Sequence, residues 1–285
     1  MTGVARFAWG WHDRRGSEEN GDGGEADRAL GGGMVDWTHE RHAAAAVTRI
    51  ERMARTVEGA DFSTPVPTCP GWDLRQLVLH TGAVHRWAAS MVRDLASERL
   101  DRTAIEAGFA DLPSEELAAW LHKGAGLLDE ALTAHDAGAP MWAWGGDRHV
   151  RFWSRRQLHE TVVHHADAAL ALGEAPGIAE DVAIDGVEEF LDVLPYARRW
   201  RPEVRELAGD GETISWRTGS GAAWLITLGP EGFAYERSAA RATATLHTDT
   251  AAELLLVVWR RGELERHRLE GETKLLRWWA DHSMI

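Results

Sequence analysis

The spacing of apolar residues along the chain changes near Arg201-Pro202. Before this point apolar residues recur every three to four positions, as they do on one face of an α-helix. Beyond residue 205 they alternate, or run together over five to seven residues between glycine and proline, which is typical of β-strands. We therefore predict an α+β chain, with a helical bundle over residues 34–200 and a smaller α+β domain over residues 205–285.

Five segments of the first part have a helical pattern. In the first segment, apolar residues lie opposite charged ones such as Arg49, and in the third Leu127 belongs to the apolar face. Asp73 begins the second helix as an N-cap, with Gln76 three residues later. Pro195 is expected to end the fifth, because proline lacks the amide hydrogen that a helix needs. The predicted helices cover about 36–58, 73–97, 114–135, 152–172 and 179–195.

The second part is predicted to contain strands and two more helices. The segments with strand character cover about 213–218, 222–228, 232–237, 242–247 and 266–270. The segments with helical character cover about 250–261 and 273–282.

Residues 1–33 have a composition unlike the rest of the chain. They are rich in glycine and charge and have no apolar periodicity, so they cannot offset the entropy of ordering. Met34 follows them directly. Two hypotheses are open: residues 1–33 are an over-extended reading of the gene with the true start at Met34, or they are a disordered arm.

The charge and cysteine content exclude several classes of protein. A formal net charge of -14 argues against non-specific binding to nucleic acid or to anionic membranes, which requires a basic surface. No apolar run is long enough to span a membrane. The single cysteine, Cys69, excludes an intramolecular disulfide, and no signal-peptide pattern opens the chain. We expect a cytoplasmic protein.

The fourth predicted helix places ionisable groups on a face that should point into the core. Trp153, Glu160, His164 and Asp167 are separated by seven, four and three residues, which are near-integral numbers of helical turns. Ionisable groups seldom enter a core without a partner. A divalent metal is such a partner, because a Glu oxygen and a His nitrogen one turn apart can ligate one ion. The third ligand must then come from elsewhere in the chain.

The zinc-protease motif is absent from this helix. His159-Glu160 would need a second histidine at position 163, where Val163 stands. Any metal site here is therefore of another kind.

Three further residues are candidates with alternative interpretations. His80 shares the apolar face of the second helix, where a lone histidine is more often a core residue than a ligand. Trp142 and Trp144 lie in a glycine-containing loop, which can line the mouth of a pocket or, as we favour, cover the core. Cys69 has no charged neighbour in the sequence to activate it, so we expect a buried or loop cysteine.

Two sets of motifs follow one another along the chain. The N-terminal set contains Pro67-Thr68-Cys69-Pro70-Gly71-Trp72, His80, Val84-His85-Arg86-Trp87, Trp142-Ala143-Trp144, Phe152-Trp153, Arg156, His159-Glu160, His164 and Asp167. The C-terminal set contains Ala251–Leu256, Trp259-Arg260-Arg261, Leu269–Glu272 and Leu275–Trp278. In their order and spacing, these motifs resemble the mycothiol-dependent maleylpyruvate isomerase family. The resemblance covers about 34–285 and implies an N-terminal DinB-like four-helix bundle followed by a small sterol-carrier-like α+β domain.

The resemblance implies a divalent metal, usually zinc, on one histidine of the second helix and on a Glu and a His near the last bundle helix. These positions match His80, Glu160 and His164, which supplies the missing third ligand. Two histidines and one carboxylate leave coordination open for water or a thiolate. Trp144 and Asp167 are the candidates for the cofactor pocket. Asp167 either orients the imidazole of His164 or forms a simple polar contact.

The chemistry that the resemblance implies is thiol addition, with mycothiol as the thiol cosubstrate and a small electrophile as the partner. The metal lowers the pKa of the thiol, and addition leads to cis-trans isomerisation or to transfer of the thiol. Arg261 is the candidate for holding an anionic substrate, with Arg260 as the alternative. Either arginine could instead complement the dipole at a helix end.

Other functions stay open on the sequence alone. The chain could be a metal- or ligand-binding protein that has the scaffold without the chemistry, or a hydrolase that uses metal-bound water. The electrophile, the identity of the metal and the choice between monomer and homodimer are not determined by the sequence.

Overall fold

The computed structural model describes residues 37–285, so the hypotheses about residues 1–33 lie outside the described residues. Five of its helices match the five predicted in the first part of the chain, and a short sixth, α3, was not predicted. Asp73 caps α2 in a complete capping box with Gln76, as predicted. The helices are α1 (His39–Val57), α2 (Leu74–Arg93), α3 (Thr103–Gly108), α4 (Leu117–Thr133), α5 (Val150–Ala171) and α6 (Glu180–Ala197).

Helices α1, α2, α4 and α5 form a four-helix bundle. α1 packs on α4 and α5, and α2 packs on the same two helices. Their apolar faces meet in one core, where Ile50, Leu77, Leu121 and Trp153 are fully buried. The burial of these large side chains is the main stabilising contribution to the bundle.

Three details of the helix predictions were wrong. Pro195 does not end α6, which continues for two more residues to Ala197, because a proline removes only the hydrogen bond of its own amide. Leu127 is 46% exposed on the outer side of α4. Arg49 is buried rather than solvated, because its guanidinium donates to His165 and to backbone carbonyl groups.

The second part of the chain forms a five-stranded sheet in the order β3-β2-β1-β4-β5. β1 and β4 are parallel, whereas the other neighbouring pairs are antiparallel. The sheet packs against two helices at positions close to those predicted, which confirms the α+β fold class. The elements are β1 (Thr213–Thr218), β2 (Ala223–Gly229), β3 (Gly232–Glu236), β4 (Ala244–Thr248), α7 (Ala251–Val258), β5 (Arg268–Gly271) and α8 (Thr273–His282).

Helix α6 links the bundle to the sheet. Its apolar residues, such as Phe190, share a core with Trp216 of β1 and Leu254 of α7. Trp259, at the end of α7, packs against Phe190, and the guanidinium of Arg156 on α5 lies 5.3 Å from the same indole, so this end of α7 is close to the bundle. The division into units 34–200 and 205–285 stays a prediction. No helix among residues 37–285 is long and apolar enough to cross a membrane.

Candidate metal centre

The three predicted metal ligands come together between α2 and α5. His80 is on α2, while Glu160 and His164 are one turn apart on α5. Glu160 Oε1 lies 3.7 Å from His80 Nε2 and 3.3 Å from His164 Nε2. The two imidazole rings are nearly perpendicular, with centroids 5.2 Å apart. All three donor atoms lie within 4.8 Å of one another.

This spacing fits a metal ion. Zinc binds nitrogen and carboxylate oxygen at about 2.0–2.2 Å, so neighbouring ligand atoms of a tetrahedral site are about 3.3–3.5 Å apart. The 3.3 Å separation has this length, and the 3.7 Å separation is close to it but too long for a good hydrogen bond. The three side chains can therefore receive an ion with small adjustments.

The charges around Glu160 keep it ionised. Burial acts to raise the pKa of this carboxyl group, but its contacts with His164 and His80 and the charge of Arg156 hold the pKa well below its usual range. Burial lowers the pKa of His80, so its imidazole is neutral. A carboxylate and a neutral imidazole are the forms that ligate a divalent ion, so Glu160 and His80 already have these forms. Burial acts to lower the pKa of His164, but its hydrogen bonds with Asp167 and Glu160 raise that pKa, so this ring releases a proton when it binds an ion.

Asp167 lies behind His164 and does not line the cavity next to the metal ligands. Its Oδ2 accepts a hydrogen bond from His164 Nδ1 at 2.9 Å, which leaves Nε2 of that ring facing Glu160. Thr68 and Cys69 also donate to this carboxylate, which is completely buried. Burial tends to raise the pKa of Asp167, but His164 and Arg261 lower it far below its usual value. This geometry supports the interpretation that Asp167 orients the imidazole.

Arg261 approaches the same carboxylate from the end of α7. Its Nε donates to Asp167 Oδ1 at 2.9 Å, and a second nitrogen donates to Oδ2 at 3.0 Å. Arg260 has a positive φ of 63°, a left-handed conformation that closes the helix end and turns the next side chain inward. Arg261 is therefore buried in the cavity wall, whereas Arg260 points outward to Asp281.

A cavity of about 80 Å³ lies next to the three ligands. Trp144 is among its walls and packs edge-on against Phe152 and Trp200, so the tryptophan covers the core and lines the pocket at once. The lining combines aromatic rings with four guanidinium groups. The rings belong to Trp87, Trp144, Trp153 and Trp259, and the guanidinium groups belong to Arg99, Arg102, Arg156 and Arg261. The cavity therefore suits a small anionic compound with unsaturated or apolar character.

Cys69 is buried, as predicted. Burial and the neighbouring carboxylate of Asp167 raise the pKa of its thiol to about 12, although Arg261 acts in the opposite direction. Cys69 has charged neighbours after all, but they come from distant parts of the chain. A thiol that stays protonated at neutral pH is a poor nucleophile.

Arg156 is a site residue whose role is not evident from the sequence alone. Its two terminal nitrogens donate to Glu160 Oε2 at 3.1 Å and to Glu189 Oε1 at 2.5 Å. It therefore holds Oε2 of Glu160 and leaves Oε1 of the same carboxylate facing the two histidines. The four-residue spacing between Arg156 and Glu160 was visible in the sequence, whereas the contact with Glu189 on α6 depends on the fold.

A second group of possible ligands lies on the other side of α5. It consists of His42, His159 and Asp185, all of them buried. Here both imidazole Nε2 atoms lie at hydrogen-bonding distance from one oxygen of Asp185, at 2.9 and 2.6 Å. These separations are too short for ligands around one ion, so the group is a hydrogen-bonded connection between three helices. Two further histidines of the bundle are also buried: His85 bonds to Thr161 and His165 to Thr56.

The bundle and the overall fold are similar to known proteins. Residues 43–169 match the family model of the mycothiol maleylpyruvate isomerase N-terminal domain. The fold is similar to a crystal structure of the mycothiol-dependent maleylpyruvate isomerase, with 14% identity and a TM-score of 0.54 over 79% of this chain and 90% of that one. A histidine-to-alanine mutant of that isomerase gives 12% identity and a TM-score of 0.56, over 82% and 93% of the two chains. No curated protein sequence matches. These findings confirm the family resemblance.

Proposed function

Because residues 43–169 carry the N-terminal domain of the mycothiol maleylpyruvate isomerase family, we propose that this chain is a metal-dependent enzyme that adds mycothiol to a small anionic electrophile. The outcome of the addition is cis-trans isomerisation or transfer of the thiol. The observation that carries the proposal is the spacing of His80, Glu160 and His164 beside a cavity lined by four arginines.

We infer that these three side chains hold a divalent ion. The ion is zinc in this proposal, because two imidazoles and a carboxylate are a donor set that zinc prefers. When bound, the ion would lower the pKa of the thiol through its positive charge, which would make the thiol nucleophilic near neutral pH. All three side chains line the cavity, so a cosubstrate in the cavity would meet an ion held by them.

The surrounding residues orient the ligands and exclude water. Asp167 fixes the tautomer of His164 by accepting from Nδ1, and Arg156 fixes the carboxylate of Glu160. The tryptophan walls remove water from the cavity, and in a drier site the charges of the arginines act more strongly on a bound anion.

Arg261 is the proposed anion-binding residue. Its guanidinium lines the cavity while Asp167 holds it from behind, so it reaches the substrate in a preset orientation. Arg260 is the weaker candidate, because it pairs with Asp281 at the surface.

The test is turnover by the zinc-loaded chain with mycothiol and a panel of electrophiles that includes maleylpyruvate. We expect consumption of the electrophile only when both zinc and mycothiol are present. Replacement of Arg261 by Gln should raise KM for anionic electrophiles about tenfold or more beyond any change that it causes for neutral ones.

Two other outcomes would contradict the proposal. Turnover without mycothiol would favour a hydrolase that uses metal-bound water. Bound zinc with no thiol chemistry across the panel would favour a metal- or ligand-binding protein without activity. A cytoplasmic location and the choice between monomer and homodimer stay predictions from the sequence.

A further inference from the structure

A second and larger cleft, of about 940 Å³, lies on the opposite side of α5 from the metal ligands. Its walls come from α1, α5, α6 and β3. We propose that this cleft binds an organic ammonium ion, a primary amine on an aromatic or apolar body, anchored on the carboxylate of Glu189. Nothing in the proposed thiol chemistry uses this cleft.

The cleft attracts positive charge. Its lining contains three arginines, Arg151, Arg155 and Arg237, against a larger number of carboxylates. The carboxylates are Asp147, Glu180, Asp181, Asp185, Glu188, Glu189 and Asp192. An excess of negative groups in a concave site raises the local concentration of cations and lowers that of anions.

Six of these carboxylates already have donors. Asp147 is held by Arg151 and His149, and Glu188 by Arg237. The partners of the other four are Arg41 for Asp181; His42, His159 and Arg155 for Asp185; Arg155 and Tyr235 for Asp192; and Ser220 with the Ala251 amide for Glu180.

Glu189 differs from the other carboxylates. It is 2% exposed, its Oε1 accepts from Arg156, and its Oε2 has no hydrogen-bond partner among residues 37–285. A buried carboxylate oxygen without a donor is unfavourable, so this atom gains from a ligand that supplies one. Consistent with this, burial raises the pKa of Glu189 to about 7 in spite of the nearby arginines.

The donor that fits is an ammonium group rather than a divalent ion. Calcium and magnesium need several oxygen ligands, and the other carboxylates of the cleft are occupied by internal donors. An ammonium group needs one carboxylate and brings three donors. The rings of Trp37, Phe152, Tyr196 and Tyr235 in the same lining offer apolar surface for the body of such a ligand.

The cleft and the metal centre share one arginine. Arg156 donates to Glu189 with one nitrogen and to the metal ligand Glu160 with the other. An ammonium group on Oε2 of Glu189 draws part of the negative charge of that carboxylate away from Arg156, so Arg156 binds Glu160 more strongly. The stronger contact withdraws negative charge from the ligand oxygen of Glu160, and we therefore expect amine binding to weaken zinc binding; this consequence, unlike amine binding itself, rests on the proposed function.

The test is isothermal titration calorimetry of the full chain with tryptamine and with tryptophol, which has the same indole body and a hydroxyl in place of the ammonium. We expect tryptamine to bind at least about tenfold more tightly, and the preference to disappear in Glu189→Gln. Glu188→Gln removes the same charge from the same wall, but from a carboxylate already paired with Arg237, and should keep most of the preference.

Equal affinities for tryptamine and tryptophol in the unaltered chain would overturn the proposal without reference to any variant. If folded Glu189→Gln still prefers tryptamine to tryptophol, Glu189 is not the residue that binds the ammonium group. Competition with a chelator, with and without tryptamine, measures the zinc affinity. A several-fold loss supports the link through Arg156, and an unchanged affinity would refute that link while leaving the amine site standing.

Discussion

Asp167 and Arg261 form a two-point ion pair, with nitrogen-oxygen distances of 2.9 and 3.0 Å, in which both side chains are buried. The pair joins α5 of the bundle to the segment that follows α7. Because the same carboxylate accepts from His164, one residue connects the proposed metal ligand to the proposed anion-binding residue. The positions of the two groups are therefore set together.

Replacement of Asp167 by Asn should destabilise the protein by about 3 kcal/mol or more, because it leaves the buried charge of Arg261 without its partner. We also expect zinc affinity to fall about 10- to 100-fold through the loss of the support for His164. Urea denaturation and chelator competition measure the two effects.

Asp281→Asn provides the matched control. It removes the partner of Arg260 in an exposed pair, which is worth about 1 kcal/mol or less. Equal losses of stability in the two variants would show that the buried pair has no special role.

Adjacent histidines on α5 allow a sharp test of the ligand set. His164→Ala should lower the bound zinc from about one ion per chain to near zero, because two ligands of three do not hold the ion. His165→Gln should keep the ion, since His165 points away toward Thr56 and Arg49. Metal analysis after dialysis distinguishes them, and a fully metallated His164→Ala would exclude this site.

Two helical glycines should respond to alanine in opposite directions. A Cβ on Gly82 would lie 2.1 Å from the ring of Trp120, which the guanidinium of Arg86 holds in place from 3.9 Å, so Gly82→Ala should cost about 2–3 kcal/mol. A Cβ on Gly126 meets no atom within 4 Å among the described residues, and Gly126→Ala should stabilise α4 by about 0.5–1 kcal/mol. Thermal denaturation of both variants checks the signs.

The thiol of Cys69 should be unreactive in the folded protein. With a pKa of about 12 instead of 9.0, its thiolate fraction at pH 8 is about a thousandfold lower, and burial slows access further. Reaction with a disulfide reagent at pH 8, in buffer and in urea, measures the difference. Rapid labelling in buffer would contradict the assigned environment. Since the folded state keeps this proton, its contribution to stability decreases as the pH rises from 9 toward 12.

The local pattern was sufficient to locate most elements. Asp73 and Gln76 predicted the start of α2 because a capping box involves only residues three apart. The same logic failed at Pro195 and at Leu127. A single proline near a helix end removes too few hydrogen bonds to end it, and exposure depends on which neighbours cover each side of the helix.

The sequence by itself determined the stripe of Glu160, His164 and Asp167, since helical geometry places residues three and four apart on one face. With the family resemblance it also indicated His80. Only the tertiary structure decided that Asp167 serves both His164 and Arg261, and that Arg156 connects Glu160 to Glu189. The contacts of Arg156 with Glu189 and of Asp167 with Arg261 join residues 33 and 94 positions apart on different elements, and their formation depends on how the cores pack. Periodicity carries no information about such packing.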